Sequence, residues 1–151
     1  MEGRTIIGVD PDAEKHGVAI YRGSRLKELH MMNTVELMSY IAPIEPPIGG
    51  TMLVSIEDVM ANQFVYTRNQ KQSKAAQSKV AMHIGRCQQA QVELIRWLES
   101  FGIDYVLHKP QKGNWSDKRE LFERLTGWAR QSNADTRAAA YFGFLEVKKC
   151  Q

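Results

Sequence analysis

The chain opens on an apolar, β-branched run, Thr5 to Asp10 (TIIGVD), halted by the turn signal Asp10-Pro11-Asp12. Gly17 to Arg22 (GVAIYR) reads as a second strand, Gly23-Ser24 as a tight turn and Arg25 to Met32 as a third strand, together a β-meander. Val35 to Ile41 reads as a short helix, which the loop holding Pro43, Pro46, Pro47, Gly49 and Gly50 cannot continue. Met52 to Ile56 (MLVSI) lacks clean alternation, the mark of a central strand covered on both faces, and it too runs into acid, Glu57-Asp58. Ala61 to Ser73 is polar and low in aliphatics, which predicts a mobile loop. From about Lys74 a long helix is expected: Val80, Ile84, Cys87, Leu94, Leu98 and Phe101 recur at helical spacing, with Gly102 as the stop. Asp104 to His108 reads as a short strand ended by Pro110, and 111–115 as a loop. Ser116 to Leu125 reads as a helix with Ser116 as N-cap and Arg119 or Glu120 in its first turn. The last helix spans about Ala134 to Val147, capped by Ser132 or Asn133.

The order β-β-β-α-β-α-β-α-α implies an α/β domain with one five-stranded mixed sheet, three antiparallel strands first and then parallel ones, flanked by helices. At 151 residues the chain fits a single domain, 1–151, and 43% hydrophobic with 25% charged residues is ordinary for a globular protein. Cys87 and Cys150 lie far apart, so no zinc spacing or disulfide framework is expected from them, which suits a reducing cytoplasm. No signal peptide is expected, and no apolar stretch approaches the ~20 residues that span a bilayer. The net charge of +3 is compatible with a polyanionic partner without demanding one. Basic residues gather in two stretches, Arg68, Lys71, Lys74 and Lys79, then Lys109, Lys112, Lys118 and Arg119, which read either as solvated faces or as phosphate contacts.

Two strands end in a carboxylate, the first at Asp10 and the fourth at Glu57. Ligand sites of open α/β sheets form beyond strand ends. Two acids delivered there from neighbouring strands repel unless a cation neutralises them or a proton is shared. Hard divalent ions such as Mg²⁺ favour such oxygen ligands, so the inference is a Mg²⁺ or Mn²⁺ site; the plainer alternative is that each acid shapes a turn. Asp135 shares a helix face with Ala138, Ala139 and Phe142, which turns it toward the sheet, and the small alanines let that helix lie close. A carboxylate in the first turn also suits the helix dipole.

The ordered set I-I-G-V-D-P with Gly17 and Val18, L-V-S-I-E-D-V-M-A, the His83-Ile84-Gly85-Arg86 stretch of the long helix, and A-D-T-R-A-A-A resembles the RuvC-type crossover junction endodeoxyribonucleases of the ribonuclease H-like superfamily. The resemblance covers nearly the whole chain. It implies a ribonuclease H-like fold and two-metal hydrolysis of a DNA phosphodiester, with Mg²⁺ or Mn²⁺ ions ~3.5–4 Å apart stabilising the entering and leaving oxygens. By position Asp10 would bridge both ions, and Glu57 and Asp135 would each hold one. It further implies branched, four-way-junction DNA as substrate and a homodimer, since a symmetric junction needs two symmetric nicks. Lys109, Lys112 or Lys118, with Arg68 and Lys71, would contact phosphates.

Two departures bear on this. The family carries an acid or a histidine three residues before the last aspartate, and this chain has Ser132: either Ser132 or Asn133 acts on the metal through water, or the second ion is weakly held. The aromatic residue expected shortly after the glutamate is replaced by Met60, with Phe64 and Tyr66 farther along. Asp58 competes with Glu57, but strand alternation turns only one of them to the site and the resemblance favours Glu57. Asp12 is expected to shape the turn, His108 to be a satisfied structural group, and Trp115 either to stack on a base or to fold onto the domain. A second reading is a nucleic-acid-binding module with a degraded site. A third, a phosphotransferase of the actin and sugar-kinase type, would need roughly twice this length and a second Gly-rich phosphate loop.

Overall fold

Alternation along the strands sorts their side chains onto two faces of one sheet. The computed structural model describes residues 3–46, 48–61 and 73–150. Its strands are β1 (Arg4–Asp10), β2 (His16–Arg22), β3 (Arg25–Met32), β4 (Thr51–Glu57) and β5 (Asp104–His108). They lie in the order β3-β2-β1-β4-β5. The first three pair antiparallel, while β4 runs parallel to β1 and β5 parallel to β4, as expected for this order of elements. The helices are α1 (Thr34–Ile41), α2 (Lys74–Ser100), α3 (Arg119–Thr126) and α4 (Ala134–Val147). Among the described residues no helix is long and apolar enough to cross a membrane.

One face of the sheet, with Ile7, Val9, Val18, Ile20, Val54 and Ile56, packs on Leu37 and Ile41 of α1 and on Leu94 and Leu98 of α2. The other, with Ile6, Ala19 and Tyr21, packs on Ala139 and Ala140 of α4, Phe122 of α3 and Trp115. β4 is covered on both faces: Val54 joins the α2 side, and Ser55 Oγ donates to the Phe142 carbonyl of α4 at 2.7 Å. α4 lies so close because glycines clear its path. A Cβ on Gly8 would stand 2.0 Å from the Ala139 carbonyl oxygen, and one on Gly143 would stand 2.8 Å from the Tyr21 ring. Tyr21 in turn donates its hydroxyl to the Ala140 carbonyl at 2.6 Å.

Helix ends follow local chemistry. Asn33 caps α1 in a capping box with Glu36, and Asn133, one of the two expected candidates, caps α4 in a box with Thr136. Gly102 (φ 66°) closes α2 as expected. The third helix starts later than its sequence suggests, at Arg119. The Ser116 amide donates to Asn114 Oδ1 and its carbonyl accepts from Arg137, so Ser116 is held in a turn and does not cap. α2 forms as its spacing predicts, but its apolar positions are buried to different depths. Only Gln91, Leu94 and Leu98 are buried, Val80, Ile84 and Cys87 are half-buried, and Phe101 is exposed. With 27 residues the helix is about 40 Å long, whereas strands of 5–8 residues span only about 17–27 Å. Its first turns therefore overhang the sheet. The predicted loop after Ala61, with Phe64, Tyr66, Arg68 and Lys71, lies outside the described residues as far as residue 72.

Candidate metal centre

The register of the central strands brings two acids together. Val9 of β1 pairs with Ile56 of β4, so the next residues, Asp10 and Glu57, leave the sheet side by side. Alternation puts Asp10 on the face of Ile6 and Gly8, and Glu57 on the face of Ser55, which is the face that α4 covers. Across β1, Asp10 pairs with Gly17 of β2. A Cβ on Gly17 would come within 2.2 Å of the Asp135 carbonyl oxygen, so only glycine there admits the first turn of α4. That brings the start of α4 to the Asp10 end of the sheet, near enough for the Asp135 charge to act on Asp10.

The electrostatics report how crowded the pocket is. Burial first, then the charges of Glu57 and Asp135, then a hydrogen bond with Glu57 and the charge of Asp12, push the Asp10 carboxyl up to about 8. Burial raises Glu57, opposed by its hydrogen bond with Asp10. Burial also raises Asp135, with the charge of Asp12 added. Without a cation the pair Asp10–Glu57 keeps a shared proton at neutral pH. Three converging carboxylates offer only hard oxygen donors, and this donor set fits Mg²⁺ or Mn²⁺.

Neutral side chains hold the strand exits. His16, 1% exposed, accepts the Asp12 amide on Nδ1 at 3.1 Å, which leaves its Nε2–H to donate to Thr34 Oγ1 at 2.8 Å. Burial pushes this imidazole down to about 4, against the weaker pull of Asp12. Asp12 Oδ1 accepts from the Glu14 amide, the turn-shaping role expected of it. Beyond β4, one oxygen of Asp58 is engaged by neighbours. Its Oδ1 accepts from the Met60 amide and from Gln91 Nε2, while Gln91 Oε1 accepts from the Val59 amide at 2.7 Å.

The remaining sequence candidates fall around this centre. Lys109, Lys112 and Lys118 are exposed, and among the described residues none is paired with a carboxylate. Their loop leaves β5 beside Glu57, whose strand partner is His108, and is tied to α4 by Arg137, which donates to the Trp115 and Ser116 carbonyls. Arg137 also donates to Ser132 Oγ at 3.0 Å. Ser132 borders a separate groove with Leu29, His30 and Met31 of β3. His108 Nε2 sits 2.8 Å from Glu146 Oε2, which Lys149 Nζ also approaches at 2.8 Å, but the two buried atoms make no hydrogen bond, so His108 is not the satisfied group expected. Trp115 is buried against Phe122, Tyr141 and Phe144, so it folds onto the domain and has no face free for a base. Arg68 and Lys71 lie outside the described residues.

Sequence reasoning missed one cluster. Ligand atoms of Asp12, His83 and Cys87 lie within 4.8 Å of one another. The signal was present in His83 and Cys87, which stand four residues apart and so share a helix face. It stays silent when the two cysteines are weighed only against each other.

No family model matches the chain, and no curated protein matches it. Solved structures do. RuvC of Thermus thermophilus in complex with a Holliday junction substrate superposes with a TM-score of 0.63 at 10% identity, over 97% of this chain and 94% of that one. A second Thermus thermophilus RuvC structure gives 0.57 at 13% identity, over 97% and 95%. The chain therefore has the RuvC-like, ribonuclease H-like fold, as its ordered motifs led one to expect.

Proposed function

We propose that this chain is a divalent-metal-dependent endonuclease that hydrolyses phosphodiesters of branched DNA, with Asp10, Glu57 and Asp135 holding Mg²⁺ or Mn²⁺. The observation that carries this reading is that Asp10 and Glu57 leave adjacent parallel strands side by side with the start of α4 against Gly17, so that burial and then the charges of Glu57 and Asp135 raise the Asp10 carboxyl. Such an arrangement is unfavourable by itself and becomes favourable with a cation. When bound, a pair of divalent ions supplies the positive charge that stabilises the entering and leaving oxygens of the phosphodiester.

The chain's own residues supply the rest. Asp10 would be the ligand shared by both ions, with Glu57 and Asp135 each holding one. Lys109, Lys112 and Lys118, exposed on the segment that follows β5, would bind backbone phosphates, as would Arg68 and Lys71. A homodimer would present two such centres to the two symmetric strands of a junction. Exposed Val35 (67%), Trp97 (43%) and Phe101 (53%), which border one apolar groove between α1 and α2, give a second copy a surface to cover. The setting is the cytoplasm.

The test is a panel of four-way junction, flap, duplex, single-strand and RNA–DNA hybrid substrates with Mg²⁺, Mn²⁺ or EDTA. Metal-dependent cleavage of the junction is expected, and undiminished cleavage by Asp10→Asn would refute the proposal. Light scattering should report a dimer. A second reading, a junction-binding module that does not cut, draws on Ser132. Where the family has a further ligand, this chain has a hydroxyl already engaged by Arg137, so the second ion would rest on fewer protein groups. Tight junction binding with no cleavage in either metal would favour it.

A further inference from the structure

The cluster of Asp12, His83 and Cys87 lies outside the three-carboxylate centre and differs from it in donor chemistry. It joins two elements distant in sequence: Asp12 sits in the turn between β1 and β2, and His83 and Cys87 stand one helical turn apart on α2. Cys87 Sγ lies 3.6 Å from His83 Nε2. Two tetrahedral ligands of Zn²⁺, at Zn–S ~2.3 Å and Zn–N ~2.0–2.1 Å, are separated by about 3.6 Å. The third ligand atom falls within 4.8 Å of both, which a small side-chain rotation closes to bonding range. A thiolate and an imidazole select a borderline-soft metal and reject Mg²⁺, which takes oxygen.

From this geometry we infer a Zn²⁺ site formed by Asp12, His83 and Cys87, with its fourth position open to water, that clips α2 to the β1–β2 turn. Both elements need such a clip. The first turns of α2 overhang the sheet, and the turn carries the acid next but one to Asp10. On binding, the Cys87 thiol gives its proton to solvent and ligates as thiolate. The inference does not depend on the nuclease reading, since it concerns other donors and another metal.

Cobalt(II) is the probe, because a thiolate ligand gives Co²⁺ an intense charge-transfer absorption that oxygen ligands do not. The full chain is titrated with Co²⁺ in excess Mg²⁺, which keeps the carboxylate centre filled. One equivalent should bind with the thiolate band and be displaced by Zn²⁺, and Zn²⁺ should raise the melting temperature. Cys87→Ser, nearly isosteric, and His83→Ala should each weaken Co²⁺ binding at least about tenfold while keeping the wild-type far-ultraviolet circular dichroism. Asp10→Asn and Cys150→Ser should keep the band. Absence of a thiolate band in the wild type, or its loss on Cys150→Ser with retention in Cys87→Ser, overturns the inference.

Discussion

Replacing Asp10 by asparagine removes an ionisable group from the crowded pocket while keeping its size. The Asp10 carboxyl is pushed up to about 8 from an ordinary 3.8. A folded-state value above the unfolded one means stability that is fully present in acid and lost as the pH rises through 8. At pH 7 the shortfall reaches an upper limit of about 4 kcal/mol, since about three-quarters of the shift falls below that pH. Glu57 shares the same proton and the side chains relax apart, so the measurable part is smaller. A quarter of that limit, about 1 kcal/mol, corresponds to roughly 2–4 °C for a domain of this size. Asp10→Asn should therefore melt higher than the wild type in EDTA at pH 7, and the gap should shrink toward pH 4. Mg²⁺ should reverse the order. At ten times its dissociation constant the ion adds about 1.4 kcal/mol to the wild type, and at a hundred times about 2.7, with little gain for the variant. Differential scanning calorimetry in EDTA and across a Mg²⁺ series reads both effects. A variant that melts lower than the wild type in EDTA, or that gains as much from Mg²⁺, would refute the electrostatic account of this centre.

Gly17→Ala forces a Cβ into the Asp135 carbonyl, so it should cost about 1–3 kcal/mol and also reduce the Mg²⁺-induced rise in melting temperature, read in the same calorimeter. His16 is buried neutral with its value depressed to about 4, below the unfolded 6.5, so its contribution is present above pH 6.5 and is lost as the pH falls toward 4, by at most about 3 kcal/mol. His16→Gln should flatten that part of the stability–pH curve; an unchanged slope between pH 6.5 and 4 would count against a neutral His16. Replacing Lys109, Lys112 and Lys118 with alanine should weaken junction binding, measured by fluorescence anisotropy. The slope of log K against log salt should fall by about one unit for each phosphate that the variant no longer neutralises.

The strands and the acids that end them were legible because one period governs both. β-branched runs at Thr5–Asp10 and Met52–Ile56 mark buried strands, and a carboxylate at the end of such a run has to leave the sheet at its rim. What brings Asp135 to that rim was only half legible. Ala138 and Ala139 announced a close helix, but the clearance comes from Gly8, Gly17 and Gly143, whose partners are set by strand pairing and not by sequence neighbours. The late start of α3 was hidden for a similar reason: Ser116 is a good cap by local chemistry, yet Arg137, on the last helix, takes its carbonyl. The cluster of Asp12, His83 and Cys87 spans more than seventy positions, and only the fold shows that a turn and a helix meet there. Helical periodicity along α2 foretold the helix and was silent on its depth, because spacing records which side faces inward and not how far the sheet extends beneath it.

That mismatch in length divides α2 into two mechanical regimes. Around Gln91, Leu94 and Leu98 its amides can open only when the core itself opens, so their hydrogen exchange should follow global unfolding. Nearer Lys74 the same helix is braced by few buried side chains, so its amides should exchange through local fraying and a protease should nick there first. One continuous helix thus carries a rigid root and a compliant arm, and whatever grips the arm acquires leverage on the acidic turn beside it.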